Sequence, residues 1–183
     1  MRIPKITSPV LFAVFVATLA WLLLVLLSSY LVSPDTLSDL TGSVGVVDNK
    51  EQFAPLGPVP KAVYSIGDWE CHQIADRSYF LNGNQMPFCA RDLGLFAGIA
   101  AGFALTAFVL FTPNPLLLLL GLVPMGIDGG LQAVTDYEST NPLRLVTGLI
   151  AGIALSLIIA QFVFAFKQDR EKATQGLDEK RRP

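Results

Sequence analysis

Four apolar runs constrain this chain more than any other feature. An α-helix needs about 20 residues to cross a hydrocarbon core about 30 Å thick, and the sequence supplies such a length four times. The first run, Pro9 to Val32, reads PVLFAVFVATLAWLLLVLLSSYLV and carries no charge. The second extends from about Leu93 to Phe111, the third from Leu116 to Val134 with Asp128 as its one charge, and the fourth from Leu145 to Phe166. Backbone N–H and C=O groups find no water inside a bilayer, so each run must close its hydrogen bonds within itself, as a helix does. Composition agrees: 52% of the residues are hydrophobic, 15% are charged and the mean hydropathy is +0.52, whereas a soluble domain is about 25% charged. The expected fold is an all-α membrane protein with four transmembrane helices, a short outer-face helix and an irregular ectoloop.

Lys and Arg collect on the cytoplasmic flanks of membrane spans. Arg2 and Lys5 precede the first run, and Lys167, Arg170, Lys172, Lys180, Arg181 and Arg182 follow the last, together eight of the thirteen basic residues. Both termini are therefore expected in the cytoplasm, with the protein in the plasma membrane. Segments 34–92 and 135–144 then face outward, and the TPNP turn at 112–115 faces inward. The basic MRIPK also suits a secretory signal, but the apolar run exceeds the roughly 7–15 residues of a signal core and no small-x-small cleavage pattern follows it. An uncleaved anchor is the expectation. The chain thus divides into an N-terminal anchor (1–33), an extracytoplasmic loop (34–67), a polar membrane domain comprising an outer lid and three crossings (68–166), and a solvated cytoplasmic tail of mixed charge (167–183). A net charge of -2, with no basic stripe interleaved with aromatics, excludes nucleic acid as a partner.

The outer segment changes character along its length. Four prolines and several glycines mark 34–67 as extended or loosely ordered, with only weak apolar alternation in SVGVV and KAVYSI. From Asp68 onward, DWECHQIADRSYF suits a short helix with Asp68 as N-cap, and NGN at 82–84 turns the chain. MPFCARD then leads into the second crossing.

Polar residues in the later crossings share faces with small ones. Gly94, Gly98 and Gly102 recur at the spacing that lets helix backbones approach in lipid, and Arg91 lies one turn before Gly94. Gly148 and Gly152 repeat the pattern after Arg144. The third crossing aligns Gly121, Pro124, Asp128, Gln132 and Thr135. Asp128 lies twelve residues past Leu116, about 18 Å along the helix, in the outer half of the membrane, where the guanidinium groups of Arg91 and Arg144 can reach it. A charge in a crossing costs about 2.5–3.5 kcal/mol on insertion scales. Asp128 therefore reads either as a functional group in a polar pocket beneath the 68–90 stretch or as half of a bundle-locking ion pair. Glu138, close to Arg144 in sequence, is a second candidate carboxylate. Arg77 reads equally as a site residue and as a solvated partner of Asp76 or Glu70.

Both cysteines and the only histidine fall between residues 71 and 89. Outside the cytoplasm, thiols tend to oxidise, and a Cys71–Cys89 disulfide would close a loop worth about 3 kcal/mol in the chain-entropy account. The competing reading makes Cys71, His72 and Cys89 ligands of zinc or copper, with Glu138 or Asp76 completing the set, although neither a C-x-x-C nor an H-x-x-x-H pair is present. His72 on the outer face could otherwise carry protons.

The combination of CHQ with RSY, PFCARD entering a Gly-rich crossing, PMGIDGGLQ and ESTNPLRLVTG resembles a prokaryotic multi-pass membrane-protein family known only as a domain of unknown function (DUF2085-like). The resemblance covers roughly residues 68–152 and implies a multi-helix membrane domain. Its marked positions are Cys71, His72, Gln73, Arg77, Cys89, Arg91, Asp128, Gly129, Gln132, Glu138, Arg144 and Gly148; it implies no activity. Three functions fit the residues. One is an outer-leaflet binder or enzyme for an anionic lipid-linked group, with Arg77, Arg91, Gln132 and Arg144 on the substrate and Asp128, Glu138 or His72 as acid or base. The others are a metal or redox protein using Cys71, His72 and Cys89, otherwise without a cofactor, and a non-enzymatic subunit whose glycine faces hold partner transmembrane helices. Transport is the weakest reading because no inverted repeat is visible.

Overall fold

The computed structural model describes residues 6–109 and 113–181. Arg2, Lys5, Thr112, Arg182 and Phe111, the expected end of the second run, lie outside the described residues, as do the side chains of Lys180 and Arg181. Four helices are long and apolar enough to cross a membrane: α1 (Pro9–Ser28), α4 (Ala90–Phe108), α5 (Pro115–Val134) and the first thirty residues of α6 (Asn141–Arg181). The protein is a multi-pass membrane protein.

Each span starts where local chemistry lets it. Ser8 caps α1 by accepting from the Leu11 N–H, and Pro9 follows as a first-turn residue whose missing N–H costs nothing. Asn114 caps α5 in the same way, ahead of Pro115. Because α1 is apolar all round, packing selects its inner face: Leu11 joins Phe103 of α4 and Ala160 of α6, and Trp21 meets Phe88 and Phe96 edge to face. The Thr7 N–H donates to the Ala107 carbonyl at 2.9 Å, and the Gln161 side-chain amide donates to the Pro113 carbonyl at 2.7 Å. The start of α1, the α4–α5 turn and the later part of α6 therefore share one end of the bundle.

Helices α4 and α6 pack backbone to backbone. A Cβ at Gly94 would collide with the Leu145 carbonyl, one at Gly98 with the Leu149 carbonyl, one at Gly148 with the Arg91 carbonyl and one at Gly152 with the Leu95 carbonyl. These four glycines interlock two helices that have no water to drive them together. Helix α5 lies against α6, with Gly121 facing Ala154, and turns Leu116, Leu117, Leu119, Leu120, Ile127 and Leu131 outward. That leucine-rich face is suited to lipid.

The opposite end carries a lid that differs from the sequence expectation. Residues 34–67 are not a loose loop: they contain α2 (Lys50–Phe53) and most of α3 (Pro58–Glu70) and bury Leu37, Leu40, Phe53 and Tyr64 together. The expected helix from Asp68 does not form. Asp68 lies inside α3, fully buried, where its carboxylate accepts from the backbone N–H and side-chain amide of Asn49. After Cys71 the chain makes a 3-10 turn (Ala75–Arg77) and an antiparallel hairpin, β1 (Ser78–Leu81) and β2 (Asn84–Cys89). The expected turn is present: Asn82 and Gly83 have φ of 55° and 71°, the double positive φ of a tight hairpin matched to strand twist. Two buried amides then bind the lid together. Asn84 Oδ1 accepts from Thr36 and Leu37, and its amide donates to the Ser29 and Ser33 carbonyls. Gln85 accepts from Leu40 and donates to the Gln73 carbonyl.

Candidate functional site

The site follows from how the hairpin hands the chain to α4. Strand β2 ends at Cys89 and α4 begins at Ala90, so Arg91 emerges in the first helical turn beneath the lid. Helix α5 returns toward the lid and brings Asp128 and Gln132, one turn apart, to the same level. Arg91 Nη2 donates to Asp128 Oδ2 at 2.5 Å and to Gln132 Oε1 at 2.7 Å, and the Tyr137 hydroxyl donates to Asp128 Oδ1 at 3.2 Å. Asp128 is 5% exposed, so its charge is hydrogen-bonded rather than lipid-facing. Gly129 faces the guanidinium, and a Cβ placed there would meet Arg91 Nη1 at 3.5 Å, an ordinary contact.

A second ion cluster joins lid, loop and α6. Arg77 is not paired with Asp76 or Glu70: it grips Glu138 with two parallel bonds, Nε to Oε1 at 2.7 Å and Nη2 to Oε2 at 2.9 Å. Arg144 Nη2 reaches the same Oε1 at 2.6 Å, and its Nη1 donates to Asn141. Arg144 is 2% exposed, while the Glu138 side chain is 55% exposed. Asn141 also donates to the Ser78 carbonyl at 3.2 Å, fixing the start of α6 against β1. The Arg77 bonds, and then those of Arg144, hold the Glu138 carboxyl below its usual range. A depressed carboxylate contributes stability above its ordinary value of 4.5 and loses it as pH falls through the lowered one. The melting-temperature gap between wild type and Glu138→Gln is accordingly expected to hold at neutral pH and close on acidification below about 4.5. A gap that persists unchanged into that acidic range would show that the charge of Glu138 does not hold the cluster.

Between the clusters lies a cavity of about 90 Å³, walled by Arg77, Arg91 and Arg144 with Cys71, His72, Gln73, Ile74 and Cys89. Four buried polar atoms have no hydrogen-bond partner among the described residues: Gln73 Oε1, Arg91 Nε, Gln132 Nε2 and Arg144 Nε. Three of them belong to residues that wall the cavity. Buried polar groups are normally satisfied, and two of these atoms belong to guanidinium groups at one small cavity. A second, more open hollow of about 380 Å³ lies on the α5–α6 side, lined by Val123, Pro124, Ile127, Leu131 and Leu143, with Asp128 and Tyr137 among its residues. Arg91 lines the first and its partner Asp128 the second.

The cysteines correct another expectation. Cys71 and Cys89 are free thiols, not a disulfide. Cys89 Sγ lies 3.1 Å from Asp92 Oδ2, to which it donates. The hydrogen bond with Cys71, burial and the neighbouring Asp92 carboxylate push the Cys89 thiol well above its ordinary range. His72 is exposed at the cavity rim and does not join the cysteines; Asp92 takes that place, the ligating atoms of Cys71, Cys89 and Asp92 lying within 4.8 Å of one another. Sequence reasoning missed Asp92, Tyr137 and Asn141. Only Asp92 left a trace, three residues after Cys89 at a helix start.

The profile of the family described as "Predicted membrane protein (DUF2085)" matches residues 71–158, which contain both ion clusters and the thiols. An uncharacterized protein of Methanocaldococcus jannaschii is 37% identical over 108 residues, 56% of this chain and 67% of that protein. One of Methanothermobacter thermautotrophicus is 38% identical over 92 residues, 48% of this chain and 82% of its own length. The chain belongs to the DUF2085 family. The DUF2085 segment carries the hairpin from Ser78, all of α4 and α5, and α6 through residue 158, whereas α1, α2 and α3 precede it. No solved structure matches the chain.

Proposed function

We propose that this protein binds the anionic, phosphate-bearing headgroup of a membrane lipid or lipid-linked carrier at the lid end of its bundle. The supporting observation is the small cavity walled by three arginines, two of them with a buried Nε that has no protein partner. Guanidinium forks suit phosphate oxygens in planar, two-point fashion, and here they exceed the two carboxylates that hold them. The second hollow, lined mostly by apolar side chains of the α5 span and by Asp128, the partner of Arg91, suits the hydrocarbon tail of such a ligand. Lys167 and Arg170 follow the apolar part of α6, and the basic-flank bias supports a headgroup on the non-cytoplasmic leaflet. Binding is favoured over turnover because Asp128 and Glu138 are both engaged as acceptors, which leaves His72 alone with a free imidazole at the rim.

The test is thermal stabilisation in neutral detergent. A ligand at about 100 times its Kd stabilises the folded state by about 2.7 kcal/mol. Phosphatidylglycerol is expected to raise the melting temperature by several degrees, phosphatidylcholine to leave it unchanged, and inorganic phosphate to act weakly, without the tail. Arg77→Lys and Arg144→Lys keep the charge but lose the fork, and are expected to abolish the shift. Equal shifts for both lipids, or a full shift in both variants, would refute headgroup recognition.

A further inference from the structure

The thiols offer a second inference at the same cavity, one whose ligands are two cysteines and a carboxylate and none of the three arginines. Cys71 closes α3, Cys89 closes β2 and Asp92 sits in the first turn of α4, so three elements converge on one point under the lid. Their two sulfurs and one carboxylate oxygen lie within 4.8 Å of one another. A tetrahedral ion with bonds of about 2.0–2.3 Å holds such atoms roughly 3.3–3.8 Å apart, so small side-chain rotations would close the set. A disulfide would use the two sulfurs and leave the carboxylate unexplained. A metal uses all three.

We propose that Cys71, Cys89 and Asp92 bind one thiophilic divalent cation of the zinc class, its fourth position filled from the cavity that both cysteines line. Thiolate and carboxylate donors together select a borderline-soft ion over magnesium or calcium. Two thiolates and a carboxylate leave the loaded site with one net negative charge, which Arg91 and Arg144 in the same cavity wall favour. With three protein ligands and one open position, the site matches the pattern of zinc centres that engage a water or ligand rather than closed structural ones. It would also join the end of α3 to the hairpin and α4, beside the bonds that Tyr64 and Gln73 already make to the Gln85 and Pro87 carbonyls.

Co(II) titration of the reduced, metal-stripped full chain tests the proposal, because thiolate coordination gives a charge-transfer absorption that a carboxylate alone does not. One equivalent is expected to bind with that absorption and to be displaced by Zn(II). Cys71→Ser and Cys89→Ser are each expected to abolish the absorption, Asp92→Asn to weaken binding at least about tenfold, and His72→Ala to retain it. Should the cysteine variants misfold, wild type still decides the matter: Zn(II) is expected to protect both thiols from alkylation. Absence of the charge-transfer absorption at saturating Co(II), alkylation unaffected by Zn(II), loss of binding in His72→Ala, or a two-hydrogen mass gain on reducing the native protein would each overturn the site.

Discussion

Asp128→Ala is expected to destabilise the protein by about 3–5 kcal/mol, the usual consequence of removing one member of a buried ion pair. The cost arises mainly from what remains. Arg91, whose side chain is 20% exposed, would lose its 2.5 Å partner while still inside the bundle. Its residual exposure places the effect in the lower half of that range. For a chain of this length, a loss of 3 kcal/mol corresponds to a melting-temperature decrease of roughly 6–12 °C. Asp128→Asn is expected to do less, because the amide oxygen still accepts from Arg91 and the bond from Tyr137 can persist. Arg91→Ala combined with Asp128→Ala should recover part of the loss, since neither charge is then stranded. Heat-induced unfolding of wild type, Asp128→Ala, Asp128→Asn, Arg91→Ala and the double variant in bicelles measures this. A double variant as unstable as the sum of the single ones would mean that the two residues do not act as a pair.

Gly148→Ala is expected to be nearly as damaging for a different reason. Its Cβ would strike the Arg91 carbonyl oxygen, a backbone atom that cannot rotate away. Overfilling a packed interface costs about 1–3 kcal/mol, and here the displaced backbone also carries the Arg91 guanidinium. Gly94→Ala meets the Leu145 carbonyl from the other helix, so the two changes strain one interface and should not add independently. Gly126 and Gly130 provide the control, because a Cβ at either position meets no atom within 4 Å. Alanine there should be neutral or stabilising by about 0.5–1 kcal/mol, through reduced backbone freedom in the unfolded chain. Equal destabilisation at all four positions would contradict backbone-to-backbone packing of α4 on α6.

These two predictions show which information the sequence carries plainly. Crossing length and hydropathy place the four spans to within a few residues, because the bilayer imposes one length on all of them. Gly94, Gly98, Gly148 and Gly152 announce a close helix pair through their spacing, since few other roles explain glycine every fourth residue in a span. An acid in a crossing demands a partner, which leads from Asp128 to Arg91. The lid was less legible. Pro55, Pro58 and Pro60 read as loop residues, yet Pro58 and Pro60 occupy the first turn of α3, where the missing N–H removes no helical bond. The strands of the hairpin are short and one contains Pro87, so only its Asn82–Gly83 turn stands out. Asn84 and Gln85 resemble ordinary polar loop residues until the carbonyls and N–H groups of the 29–40 stretch are seen around them. Nothing local distinguishes Arg77 as the partner of a carboxylate 61 positions away, because long-range pairing is set by how the lid closes over α6.

The account turns on whether three arginines under the lid hold a phosphate-bearing group. The most direct measurement is bound phosphorus in protein extracted from membranes into a phosphorus-free detergent, compared between wild type and the Arg77→Lys, Arg144→Lys double variant. About one tightly held phosphate per chain is expected in wild type, consistent with a single enclosed site, and little or none in the folded variant. A wild-type protein free of phosphorus, or a variant that keeps the same amount, would contradict the central claim.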